Sequence, residues 1–98
     1  MKVLYAEFTV KPTCEAELAG LLSEFSQRVR LEPGNIAFVP YTLTQTPRAY
    51  IVFETYRDDE AFREHLASDH NRRFNAALAG LIETDASTLT WLTPFERV

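Results

Sequence analysis

The sequence is poor in cysteine, lysine and glycine, and it has no long apolar run. Each shortage excludes something. One cysteine, Cys14, cannot close an internal disulfide, which fits a reducing, cytoplasmic setting. Two lysines stand beside eight arginines in a chain of net charge −4, so the basic face of a nucleic-acid binder is not expected. No apolar stretch approaches the roughly 20 residues of a membrane span. The opening segment from Met1 meets acid at Glu7, too early for a signal peptide. None of the three glycines sits in a Gly-rich phosphate loop. Gly34 lies between a predicted helix and a predicted strand, the reverse of the order a phosphate cradle needs. No nucleophile elbow and no flavin or nicotinamide fingerprint is visible, so no cofactor is expected.

What is present reads as one domain over residues 1–98. Residues 3 to 10 alternate, with Leu4, Ala6, Phe8 and Val10 on one face, and predict a strand. Pro12 and Thr13 open a helix, with Thr13 as N-cap. Leu18, Leu21, Leu22, Phe25 and Val29 recur at helical spacing to about residue 31. Glu32-Pro33-Gly34-Asn35 ends that helix. Residues 36 to 44 predict a strand that Pro40 confines to an edge or a bulge. A turn at Thr46-Pro47-Arg48 joins it to a strand over residues 49 to 57. Asp58 or Asp59 caps a helix through Ala67, and Ser68 or Asp69 caps another through about Ile82. Residues 86 to 94 form the last strand. The order β-α-β-β-α-α-β predicts a ferredoxin-like α+β domain, an antiparallel sheet with helices on one face.

The middle strands are apolar on both faces. Ile51 and Phe53 alternate with Tyr50, Val52 and Tyr56, while Val39, Tyr41 and Leu43 alternate with Phe38. Helices can cover only one face, and an apolar sheet left open marks an interface. A homodimer packed sheet on sheet is the simplest cover.

Candidate chemistry concentrates between Phe53 and Phe74, where both histidines lie. His65 follows Ala61 and Phe62 at helical spacing and therefore faces inward. It either fastens helix to sheet or accepts protons from a ligand, as histidine readily does near neutral pH. His70 lies at the start of the next helix. Glu54 sits mid-strand beside aromatics, so it must be paired. Arg57, Arg63, Arg72 or Arg73 is the expected partner, making either a structural ion pair or a pocket carboxylate of raised pKa. Phe38, Tyr41, Tyr50, Tyr56, Phe62, Phe74 and Trp91 supply core, or a flat apolar cavity for a ring-shaped ligand. A metal is not expected. His-x4-His across a helix break is no recognised zinc spacing, and neither Cys14 nor a nearby carboxylate completes the ligands.

In combination, Glu32-Pro33-Gly34-Asn35, Phe53-Glu54-Thr55-Tyr56 and Ala61-Phe62-x-x-His65-Leu66-Ala67-Ser68-Asp69-His70 resemble the antibiotic biosynthesis monooxygenase family over nearly the whole chain. The resemblance implies a dimeric α+β barrel and cofactor-independent oxygenation, by O2, of a small phenol, quinol or polyketide-like ring. In such chemistry a base removes a phenolic or enolic proton and the anion passes an electron directly to oxygen. On that reading His65 is the base, with Glu54, Tyr56 and His70 in support and Phe38, Tyr41, Phe62, Phe74 and Trp91 around the substrate. Where the haem-degrading branch has Asn, Trp and His, this chain has Phe8, His65 and Asn75, so haem breakdown is not implied. The same scaffold also carries isomerases of small oxygenated metabolites, and a non-catalytic dimeric binding module would have its pocket filled by its own aromatics.

Overall fold

The computed structural model describes residues 1–96. Its elements are strand β1 (Lys2–Thr9), helix α1 (Glu15–Arg30), strands β2 (Asn35–Leu43) and β3 (Thr46–Tyr56), helices α2 (Asp59–Ala67) and α3 (Asp69–Leu78), and strand β4 (Thr88–Leu92). The four strands form one antiparallel sheet in the order β2-β3-β1-β4. This is the ferredoxin-like α+β arrangement expected from the element order. Among the described residues no helix is long and apolar enough to cross a membrane.

The alternation in β1 explains how the layers meet. Leu4, Ala6 and Phe8 are buried beneath the helices, while Val3, Tyr5 and Glu7 face the other way. From α1, Leu18, Leu22, Phe25 and Val29 close onto that surface. Burying each such side chain contributes about 1.5–3 kcal/mol. A second, smaller cluster joins Leu4 and Tyr56 of the sheet to Ala61 and Phe62 of α2.

Pro40 lies on β2, an outer strand, as its missing N–H requires. Other details differ from expectation. The residue before α1 is Cys14, not Thr13, and no side chain caps that helix. Leu43 already pairs with Thr46, so the β2–β3 turn is the two residues Thr44 and Gln45, and Pro47 belongs to the start of β3. Helix α3 stops at Leu78 because Gly80 and Leu81 turn the chain back, with the Leu81 N–H bonded to the Leu78 carbonyl at 2.8 Å.

Gly34 is needed for close approach. A Cβ built there would lie 2.2 Å from the Cβ of Ala61. The turn after α1 therefore docks directly on α2, and the Arg57 N–H fastens it by donating to the Gly34 carbonyl at 2.8 Å. This docking carries Glu32 to the face of α2 that displays Ala61 and, one turn on, His65.

Candidate active site

Two helix ends meet at Ser68. Its hydroxyl donates to the His65 carbonyl at 2.7 Å and accepts from the Asn71 N–H at 3.2 Å. One residue thus ends α2 and caps α3, a role suited to serine's short hydroxyl. The break turns the chain so that His65, late in α2, and His70, early in α3, aim at the same carboxylate. Nδ1 of His65 lies 2.9 Å from Glu32 Oε2, and Nε2 of His70 lies 2.5 Å from that same oxygen. Burial alone would raise the Glu32 carboxyl. The hydrogen bonds from His65 and His70 outweigh it and hold the carboxyl below its ordinary value of 4.5. An ionised carboxylate only accepts, so His65 donates from Nδ1–H, and in the neutral ring the lone pair then lies on Nε2.

That free nitrogen is turned toward Glu54, with Nε2 4.0 Å from Glu54 Oε1. Tyr56, two residues along the same strand face, donates its hydroxyl to Glu54 Oε1 at 2.7 Å. Burial raises the Glu54 carboxyl above 4.5, and the Tyr56 hydrogen bond offsets this only in part. Burial, with Glu54 beside it, drives the Tyr56 phenol far upward, so it stays a neutral donor. Glu54 has no arginine partner among the described residues. The expected ion pair is replaced by tyrosine, which needs no second buried charge.

His65 and Glu54 line a cavity of about 210 Å³ between sheet and helices. Its walls are mainly apolar, with Phe8, Phe25, Phe38, Phe62 and Phe74 among them and Asn71, Asn75 and Ser87 as polar exceptions. Phe25 and Phe74 stack with ring centroids 4.1 Å apart and planes 1° from parallel.

A family model described as antibiotic biosynthesis monooxygenase matches residues 1–77. The chain belongs to that family. No curated protein matches it. A solved structure of an antibiotic biosynthesis monooxygenase superposes with a TM-score of 0.91 at 21% identity, covering 98% of this chain and 100% of that one. Rv0793 of Mycobacterium tuberculosis gives 0.89 at 25% identity, covering 98% and 96%. PA3566 of Pseudomonas aeruginosa gives 0.88 at 21%, covering 97% and 94%.

In this monooxygenase-family chain the expected site residues separate into groups. His65, Glu54, Phe38, Phe62 and Phe74 share the cavity. Tyr56 stands behind Glu54, fully buried. His70 reaches Glu32 instead, and its outer side lines a surface depression with Arg28 and Arg73. Tyr41 is not a cavity residue. It pairs with Ile51 on the opposite face of the sheet and is 56% exposed. Trp91 is on the helix side but at the end of the sheet. It packs edge-on against Phe62 with ring centroids 5.0 Å apart and lies outside the cavity lining. Glu32 was read from sequence only as a helix terminator, although the Glu-Pro-Gly segment was the available signal. The ground for excluding a metal also fails, since a carboxylate does stand beside both histidines.

Proposed function

We propose that this protein is a cofactor-independent monooxygenase acting with O2 on a small phenol or quinol. The observation that carries the reading is His65, with Nδ1 held by an ionised Glu32 and Nε2 open to an apolar cavity. A histidine so oriented is a general base of fixed tautomer. It takes the hydroxyl proton of the substrate. Glu32 steadies the imidazolium that forms, and the substrate anion transfers one electron to O2. Recombination of the two radicals makes a carbon–oxygen bond, and the peroxide oxygen takes the proton back from His65. Loss of water from the hydroperoxide leaves the oxidised ring. Glu54, a carboxyl that burial pushes above its ordinary value, stands on the cavity wall beside His65, and Tyr56 holds it from behind by its hydroxyl hydrogen bond.

The cavity volume favours a single substituted ring over a fused polyketide, since an apolar cavity of roughly 150 Å³ already accepts benzene. The volume also opposes a pocket filled by its own aromatics. Keto-enol isomerisation is the second reading. It is favoured by Glu54, a carboxyl held toward its neutral form 4.0 Å from the base, which could return a proton that His65 removes. Oxygen uptake with a panel of one-ring quinols tests the first reading. His65→Ala is expected to lower the rate by about 10²–10⁴-fold, the usual contribution of a positioned base. Substrate rearrangement seen by NMR without oxygen uptake would favour the isomerase.

We also propose that the open sheet face pairs with a second copy. Val39, Tyr41 and Phe53 are 38%, 56% and 41% exposed there, beside Leu43 and Leu92. An apolar patch of this kind is what a sheet-on-sheet homodimer would cover.

A further inference from the structure

We propose that Glu32, His65 and His70 form a binding site for a divalent transition cation of the zinc class, and that its occupation switches off the base. One carboxylate oxygen and two imidazole nitrogens lie within 4.8 Å of one another. They come from three separate places, the turn after α1, the end of α2 and the start of α3, and they converge on one point. Glu32 Oε2 is 2.9 Å from the His65 nitrogen and 2.5 Å from that of His70.

Two imidazoles and one carboxylate are the donor set of a transition cation, not of calcium or magnesium, which prefer oxygen alone. Three protein ligands leave one tetrahedral position for water. A zinc ion bonded at about 2.0–2.1 Å separates tetrahedral donors by about 3.3 Å. The Glu32 oxygen therefore needs to part slightly from each nitrogen, while the two nitrogens, within 4.8 Å of each other, settle to the same spacing, both by rotation of the Glu32 and His70 side chains. Entry is from the depression that His70 lines, where its side chain is 21% exposed. Arg28 and Arg73 line the same depression. They do not attract a cation, so affinity must come from the ligands themselves.

The consequence for the base follows from the ring tautomer, and this part rests on the role proposed above for His65. A cation on Nδ1 takes the place of the proton that Glu32 now receives. In the neutral ring that proton moves to Nε2, the nitrogen facing the cavity. The acceptor becomes a donor, and proton abstraction stops without any change in cavity shape.

The untagged full chain titrated with zinc chloride decides the matter, followed by calorimetry and by the ring ¹⁵N signals of its two histidines. The expected result is one zinc per chain, with both histidines shifted and His65 moved to the Nε2–H form. Glu32→Gln and His70→Ala, each confirmed folded by circular dichroism, are expected to weaken binding at least about tenfold. Glu54→Gln, which removes no ligand, is expected to bind as the parent does. Unmoved histidine signals at saturating zinc would overturn the proposal. So would binding that survives both ligand substitutions. Zinc binding without loss of turnover would overturn the switch but leave the site, while absent turnover with intact zinc binding would count only against the oxygenase reading.

Discussion

Glu32 and His65 are 33 residues apart in the chain and 2.9 Å apart in space. The contact fixes which imidazole nitrogen is free, and it exists only because a glycine lets one turn rest on one helix. Replacing Glu32 by Gln leaves an acceptor of the same shape but removes the charge that favours an imidazolium. Oxygen-uptake kinetics with the best quinol are expected to show kcat reduced roughly 10- to 100-fold with KM little changed, the usual scale for a partner that orients a catalytic histidine. An unchanged kcat would remove Glu32 from the reaction.

Gly34→Ala places a methyl group where Ala61 already is. Overpacking of this kind costs about 1–3 kcal/mol. In a domain of this size each kcal/mol lowers Tm by about 4–8 °C. A thermal melt is expected to show that loss, and the His65 ring signals should move as Glu32 is carried away from α2. The common finding that Gly→Ala stabilises a loop is expected to fail here.

Glu54→Gln tests the buried carboxyl. In the folded chain its pKa is above the ordinary value of 4.5, so the folded state holds this proton more firmly than the unfolded state does. The stability tied to that proton is complete below the unfolded pKa and is lost as pH rises through the folded value. The glutamine still accepts from Tyr56 but has no proton to lose. Denaturant melts from acid to neutral pH should therefore show the variant gaining on the parent as pH rises. A constant difference would mean that Glu54 is ordinarily solvated.

Phe53→Asp puts a charge in the middle of the open sheet face, between Tyr5 and Tyr41. Light scattering is expected to give the parent twice its chain mass of 11.2 kDa and the variant the single-chain mass. A parent that is already monomeric at working concentration would sink the proposed homodimer.

The fold was legible because its signals are local. Period-two alternation exposed β1, two apolar runs joined by a turn exposed β2 and β3, helical spacing exposed α1, and Asp58 and Ser68 marked the helix starts. The same alternation carried more than was read from it. Phe38 and Tyr41 are three residues apart on one strand and must face opposite ways, so they could not both line one cavity. Glu54 and Tyr56 are two apart and must share a face, yet an arginine was expected where the tyrosine stands. Glu32 was beyond local reading. Nothing between it and His65 specifies their contact, which depends on how a turn and a helix pack. The cavity was illegible for the same reason, since its volume is what remains after side chains from the helix layer and the sheet have settled.

Pro40 on the outer strand has a consequence for how copies of this chain can meet. A strand edge can add further strands without limit, which is how sheets become fibres. A proline there removes a donor from the hydrogen-bonding row that such growth would need. The apolar surface of this sheet lies on its broad face, where the proposed second copy would cover it and leave nothing for a third. The same chain can therefore keep a sticky surface and still stop at a finite assembly.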